Sequence, residues 1–463
     1  VADPTSTPLA ATSNTLAWHV RRTLVLAWPV ILSRVGVLMM TTLDVVVVGR
    51  AGANELAYYV LGYAIIDSMV AVMAGLQLGV PVLASRSIGE GRSSLVAAIW
   101  KRGLIFSVVV GILAAVLLQG APWFFALTGQ EPDLARGGGA VMALLALSLP
   151  FIGLFLVSAT TLEALEKPFH ATLAVLLANG LNLALSIVFV FGFGSIPAMG
   201  AWGCALATVI TSAALGNGLS LYVRFGLHQR ARFGFGVVGK DAPVSGAEQR
   251  KLGFAAGASY GLEAGAFAGI TILAGLLGVI GLATMGVLFQ LFALTFMISF
   301  GIAGATQVRV GNAWGRQDAR GMVQAGFAGL GLSLVCSGAV SLLFVLFPAF
   351  FAGLLTTDER VLAASLPVMA WMVMALLADG GQTVLNHACR GRGDTWVPTL
   401  LHLVSYWVIM LPLGWLLALR LEGGTAGLYQ AILLSSLFSL AAMGLRFGLL
   451  SRRGLPSAAS LAK

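Results

Sequence analysis

The sequence predicts an all-α integral membrane protein, with twelve transmembrane helices in two pseudo-symmetric six-helix lobes. Three observations lead there. Of 463 residues, 58% are hydrophobic and only 10% charged, and the mean hydropathy is +0.94. Soluble domains carry about 25% charged residues. The apolar residues fall in long runs without the two-residue alternation of barrel strands, so helices are the spanning elements. Short motifs also recur at corresponding places in the two halves of the chain.

A spanning helix needs about 20 mostly apolar residues. Twelve runs qualify, near 24–48, 57–84, 102–127, 139–162, 170–192, 199–223, 253–279, 283–307, 324–350, 363–388, 397–419 and 424–449. The cations cluster in the loops of one side, among them Arg86, Lys101, Lys240, Arg309 and Arg390. The other side has only Arg50, Arg136, Arg360 and Arg420. Lys and Arg mark cytosolic loops, which places both termini in the cytosol of a multi-pass protein in the cell inner (plasma) membrane. The net charge of +9 therefore follows topology and does not point to nucleic acid.

Residues 1–20 read as a disordered cytosolic tail, without the apolar run of a signal peptide. Residues 21–223 form an N-lobe, 224–251 a cytosolic inter-lobe loop, 252–450 a C-lobe and 451–463 a second cytosolic tail. "RSIGEGR" (86–92) follows the second run and "RVGNAWGR" (309–316) the eighth; "GAWGCAL" (200–206) precedes the sixth and "GTAGLYQ" (424–430) the twelfth. Six is even, so both halves enter from the same side. Two lobes related by an axis along the membrane normal follow, with a pathway between them, and a single chain can then work as a monomer. No phosphate-binding GxxxxGK[ST], catalytic triad or HExxH is present, so no enzyme and no cofactor is expected. Cys204, Cys336 and Cys389 lack metal spacing and read as packing residues.

Four acids fall inside the runs: Asp44, Asp67, Glu263 and Asp379. A charge at the bilayer centre costs roughly 2.5–3.5 kcal/mol on insertion scales, so each needs protein or water around it. Burial favours the neutral form of carboxylates in general, and such a group can trade a proton, a metal ion and an organic cation.

Glu263 lies in "GASYGLEAGAFAG" (257–269), about 15 Å into its helix at 1.5 Å per residue. It points about 160–200° away from Gly261 and Gly265, whose spacing suits close helix contact inside a lobe. Ser259 and Tyr260 share its face and are expected to hydrogen-bond it. Asp379 begins a polar face with Gln382, Thr383 and Asn386, which reads as a cavity lining. For both acids the alternative is a hydrogen-bond network fastening helices together. Asp44 sits toward the outer end of the first run, where a snorkelling acid is the simpler reading, with Asn182 and Ser186 as candidate neutral partners. Asp67 and Arg34 pair with each other or face water. His387 and His402 read as packing or interfacial residues.

The segments around these acids resemble the multidrug and toxic compound extrusion (MATE) family, especially its NorM-type branch. The resemblance rests on "WPVILSRVGVLMMTTLDVVVVGR", "PVLASRSIGEGR", "LNLALSIVFVFG…GAWGCALAT", "QVRVGNAWGRQD", "ADGGQTVLNHACRGRGDT" and "SYWVIMLPLG". It implies antiport of bulky, cationic or aromatic drugs against protons or sodium by alternating access. It also implies an N-lobe acid at Asp44 with Asn182 beside it, and C-lobe acids at Glu263 and Asp379, where sodium could bind. Two departures stand out. Ser186 replaces a second Asn of some relatives, and Ala375 stands where some carry a Tyr. Loss of that phenol favours H+ over Na+ as the coupling ion. Alternatives are a lipid-linked saccharide flippase of related fold, which would carry more cations along its cleft, and a non-transporting membrane receptor or scaffold.

Overall fold

A computed structural model describes residues 16–120, 122–123, 125, 132–236 and 245–452 of this chain. Lys240 and most of both tails lie outside the described residues. Among the described residues, ten helices are long and apolar enough to span a membrane without a sharp bend: α1 (Leu16–Ala51), α2 (Asn54–Gly89), α3 (Ser93–Gly120), α5 (Phe169–Phe191), α6 (Gly200–Gly226), α7 (Gly246–Leu276), α8 (Gly278–Gly315), α9 (Ala319–Leu346), α11 (Trp396–Arg420) and α12 (Gly424–Ser451). Two further spans are bent. In α4, Pro132–Ala146 meets Leu149–Ala164 at 42°; in α10, Glu359–Ser365 meets Met369–Gly391 at 56°. Each bend falls at a Ser-Leu-Pro, residues 148–150 and 365–367. Proline removes a backbone donor and disfavours helix in the residue before it. The fourth helix of each lobe thus breaks for the same reason, a repeat signal beyond those noted above.

The helices run beyond the apolar stretches at the end of the molecule that holds both termini. α1 already begins at Leu16, α3 at Ser93 and α7 at Gly246, while α8 continues to Gly315. "RVGNAWGR" therefore continues the eighth helix to Gly315, with Arg316 capping its end. Arg309 and Arg390, expected in loops, are only 5% and 0% exposed. Arg309 donates to the His19 carbonyl at 2.6 Å and to the Thr23 hydroxyl.

The lobes meet at that same end. Gly75 and Gly79 of α2 lie directly on the α7 backbone at Ala256–Gly257 and at Gln249, and Gly89 meets Asn312 and Gly315 of α8. Hydrogen bonds cross beside these contacts: Gln249 Nε2 to the Ile99 carbonyl (3.1 Å), Asn312 Nδ2 to Glu166 (3.3 Å) and Arg86 to Glu248 (3.3 Å). The glycine stripe of α7 is divided between two partners, because Gly257 and Gly261 face Leu76 and Val72 of the other lobe. Only Gly265 and Gly269 pack within their own lobe, on Trp407 and Leu411.

A Cβ at Gly79 would overlap the Gln249 carbonyl, a backbone atom that cannot swing aside. Overpacking of this kind costs about 1–3 kcal/mol. Gly79→Ala is expected to lower the melting temperature and speed hydrogen exchange over residues 249–257. Unchanged exchange there would show that the seam is not tightly closed.

Candidate functional site

Asp44 of α1 is 1% exposed, so it does not snorkel to an interface. Three hydroxyls donate to it, each at 3.1 Å: Tyr59 of α2, Ser186 of α5 and Thr208 of α6. Asn182 is buried one turn before Ser186, but its side-chain amide has no hydrogen-bond partner among the described residues. Tyr59 and Thr208 escaped the sequence reading; their only signal is polarity on otherwise apolar helices.

Asp379 of α10 is likewise 1% exposed. Of the polar face that begins with it, Asp379 and Gln382 are interior to the C-lobe, whereas Thr383 and Asn386 reach the cleft between the lobes. Its Oδ1 accepts from Gln382 Nε2 (3.2 Å), from the Ser436 hydroxyl of α12 (3.0 Å) and from the Tyr406 phenol of α11 (3.3 Å). Both buried acids thus receive a hydroxyl from the fifth and the sixth helix of their own lobe. The phenol missing at Ala375 is supplied here by Tyr406, which interacts with Glu263 as well.

The expected partners of Glu263 bind histidines instead. Ser259 Oγ lies 2.8 Å from His402 Nδ1, and the Tyr260 hydroxyl 3.2 Å from His387 Nε2. His402 Nε2 lies 3.0 Å from Gln382 Oε1. The Gln382 oxygen accepts from a protonated Nε2, whereas the Asn386 amide nitrogen, 2.7 Å from the same atom, donates to a bare one, so the two contacts call for opposite tautomers. His387 Nδ1 bonds the Thr383 carbonyl at 2.9 Å. The two histidines are therefore links in the C-lobe network and not mere packing. Behind Tyr260 stands Arg390, fully buried, its guanidinium 5.1 Å from the ring centroid and its charge felt by Glu263 without an ion pair between them among the described residues.

Between the lobes, just beyond the seam, lies a cleft of about 370 Å³. Glu263 and Asp67 line it, with Thr383 and Asn386, the ends of Arg34 and both histidines, and the rings of Tyr63, Phe155, Tyr260, Phe296 and Phe300. Phe289, Phe292, Phe296 and Phe300 form a stack along α8, each ring 6.1–6.2 Å from the next. Their spacing keeps them on one helix face.

Arg34 does not pair with Asp67. It bonds Glu163 of α4 at 3.1 Å and lies 5.3 Å from the Phe300 ring centroid. Glu163 falls one residue past its apolar run and so escaped the count of intramembrane acids. Removing one partner of a sequestered ion pair strands the other charge. Glu163→Gln is expected to weaken binding of a cationic dye about ten-fold, from a repulsion of roughly 1–2 kcal/mol at an effective dielectric near 20. Arg34→Gln added to it should restore binding. No rescue would mean that Glu163 acts through packing.

The sequence and two halves of this fold match known proteins. The MatE family profile matches twice, over residues 29–188 and 256–416, once in each lobe. The chain belongs to the MatE family. This MatE chain is 34% identical over 92% of its length, and 91% of the relative's, to a probable multidrug resistance protein NorM of Caulobacter vibrioides. It is 31% identical to a protein of the same description from Rhodopseudomonas palustris, covering 97% and 96% of the two chains. Among solved structures it matches the eukaryotic MATE transporter AtDTX14 with a TM-score of 0.84 at 17% identity, covering 95% and 98% of the two chains. An outward-facing multidrug resistance MATE transporter matches with a TM-score of 0.85 at 17% identity, covering 94% and 96%. The fold of this MatE chain is thus that of two-lobed membrane transporters, not of an enzyme.

Proposed function

We propose that this chain is a multidrug efflux antiporter that exports bulky cationic or aromatic compounds in exchange for protons. The observation that carries this reading is the wall of the cleft: Glu263 faces an aromatic-lined space while sharing the Tyr406 hydroxyl with the buried Asp379. Aromatic faces and one carboxylate suit a flat cation. A proton loaded at Glu263 or Asp379 cancels the attraction and lets the cargo go. For the ion to drive a cycle it must favour one conformation by differential binding, and both acids sit on helices that meet the other lobe or the cleft.

The sealed end carries both termini and the cation-rich loops, which supports an outward-open arrangement in the inner membrane with the termini in the cytosol. A proton is preferred to sodium because one buried carboxylate can carry a proton, whereas a sodium ion needs several oxygens and Asp379 Oδ1 already accepts from three donors. Both walls of the cleft come from one chain, and the proposed unit is therefore a monomer.

The test is a proteoliposome loaded with a fluorescent aromatic cation, subjected separately to a pH gradient and to a sodium gradient. Movement driven by the pH gradient alone is expected. Movement with sodium alone would reverse the choice of ion, and movement with neither would overturn the antiport reading.

A further inference from the structure

We propose that the seam between the lobes holds an anionic phospholipid at the end of the molecule nearest the termini. A groove of about 280 Å³ lies there between α2 and α3 of the N-lobe and the start of α7 of the C-lobe. Its length is apolar, formed by Leu76, Val80, Ile105, Phe106 and Val109. Ile105 and Val109 are 57% and 50% exposed and extend along α3 away from its sealed end, toward the middle of the span. Across the seam Phe106 meets Phe254 of α7 edge-on, with ring centroids 5.9 Å apart. In a membrane-spanning protein such a surface is met by acyl chains.

The rim has the opposite character. Arg102 and Arg250 share one corner there, both against Gly246. Among the described residues neither forms an ion pair, and the acid next to them in sequence, Glu248, is held by Arg86. Arg102 Nε donates to Gln249 at 3.3 Å, but its Nη2 is buried with no acceptor among the described residues. Gln77, 1% exposed, lines the same groove with both side-chain polar atoms unpartnered among the described residues.

Two cations brought together with spare donors call for a phosphate, and the apolar groove leading from them calls for its chains. A soluble anion would use only the rim. Basic pockets between spanning helices are suited to anionic head groups, whereas the ammonium of a choline head group would cancel the attraction. Because the groove is built from both lobes, an occupant favours the sealed arrangement over any state in which α7 leaves α3.

The test reads binding and not transport, so it stands apart from the efflux reading. The full chain in a neutral detergent is titrated with phosphatidylglycerol, phosphatidylcholine or inorganic phosphate, while melting temperature and lipid retained in native mass spectrometry are followed. Phosphatidylglycerol alone is expected to raise the melting temperature and remain bound. Arg102→Gln/Arg250→Gln should weaken its apparent affinity roughly 10- to 30-fold, since each basic residue contributes to anionic-lipid attraction. Val109→Trp fills the groove, leaves both arginines in place, and should also lose the shift. Wild-type affinity in either variant would overturn the proposal, as would an equal shift with phosphatidylcholine or with phosphate.

Discussion

Glu263→Gln is expected to abolish gradient-driven efflux while the chain still folds and inserts. Of the three acids aligned with ion coupling, Glu263 is the one that lines the cleft, whereas Asp44 and Asp379 are each 1% exposed. A cationic cargo a few ångströms from this carboxylate gains about 2–4 kcal/mol at an effective dielectric near 20, or roughly 30- to 1,000-fold in affinity. Glutamine keeps the size and loses that term. Binding of a neutral aromatic cargo, which relies on Phe296 and Phe300, should change little. The substitution also removes a nearby negative charge that favours the buried Arg390 cation, so the melting temperature should fall and be partly regained in Glu263→Gln/Arg390→Gln. Gradient-driven transport at the wild-type rate in Glu263→Gln would remove Glu263 from the mechanism.

The class of fold was legible because bilayer thickness and hydropathy act on every residue of a spanning run. Twelve apolar stretches, an even split and paired motifs were enough for a two-lobed all-α protein. Helix ends were less legible: α3, α7 and α8 continue as amphipathic helix where packing against the other lobe replaces lipid, so polar sequence there looked like loop. Arg309 was misplaced for that reason; Arg390, two residues past its apolar run on α10, is instead buried against Tyr260 of its own lobe. At the site, intramembrane acids stand out because their cost is intrinsic to the residue. Their partners do not, since Tyr59, Thr208, Tyr406 and Ser436 come from other helices, whose packing no spacing within one helix reveals. Helical spacing put Ser259 and Tyr260 on the face of Glu263, but side chains bond whatever the neighbouring helix offers, here His402 and His387. Arg34 illustrates the same limit. Its partner was sought among the acids within the runs, and Glu163 lay one residue outside one.

Asp379→Asn and Asp44→Asn are expected to part company, and the difference assigns coupling to a lobe. In the C-lobe all three donors converge on one oxygen, Asp379 Oδ1. An asparagine can keep its carbonyl there, so stability should be nearly unchanged while the charge is lost. In the N-lobe the donors are split, with Ser186 on Asp44 Oδ1 and Tyr59 and Thr208 on Oδ2. The amide of an asparagine must then displace at least one hydroxyl from donating, a loss of about 1 kcal/mol. Asp44→Asn should therefore show the larger fall in melting temperature. Transport should show the reverse order. Asp379 shares the Tyr406 hydroxyl with Glu263, so its neutralisation is felt at the cleft wall, whereas Asp44 is enclosed by its own hydroxyl ring. Reconstituted Asp379→Asn should lose gradient-driven efflux, and Asp44→Asn should retain a measurable fraction of it. If Asp44→Asn is silent in transport and Asp379→Asn active, coupling belongs to the N-lobe, and Tyr406 does no more than tie α11 to α10.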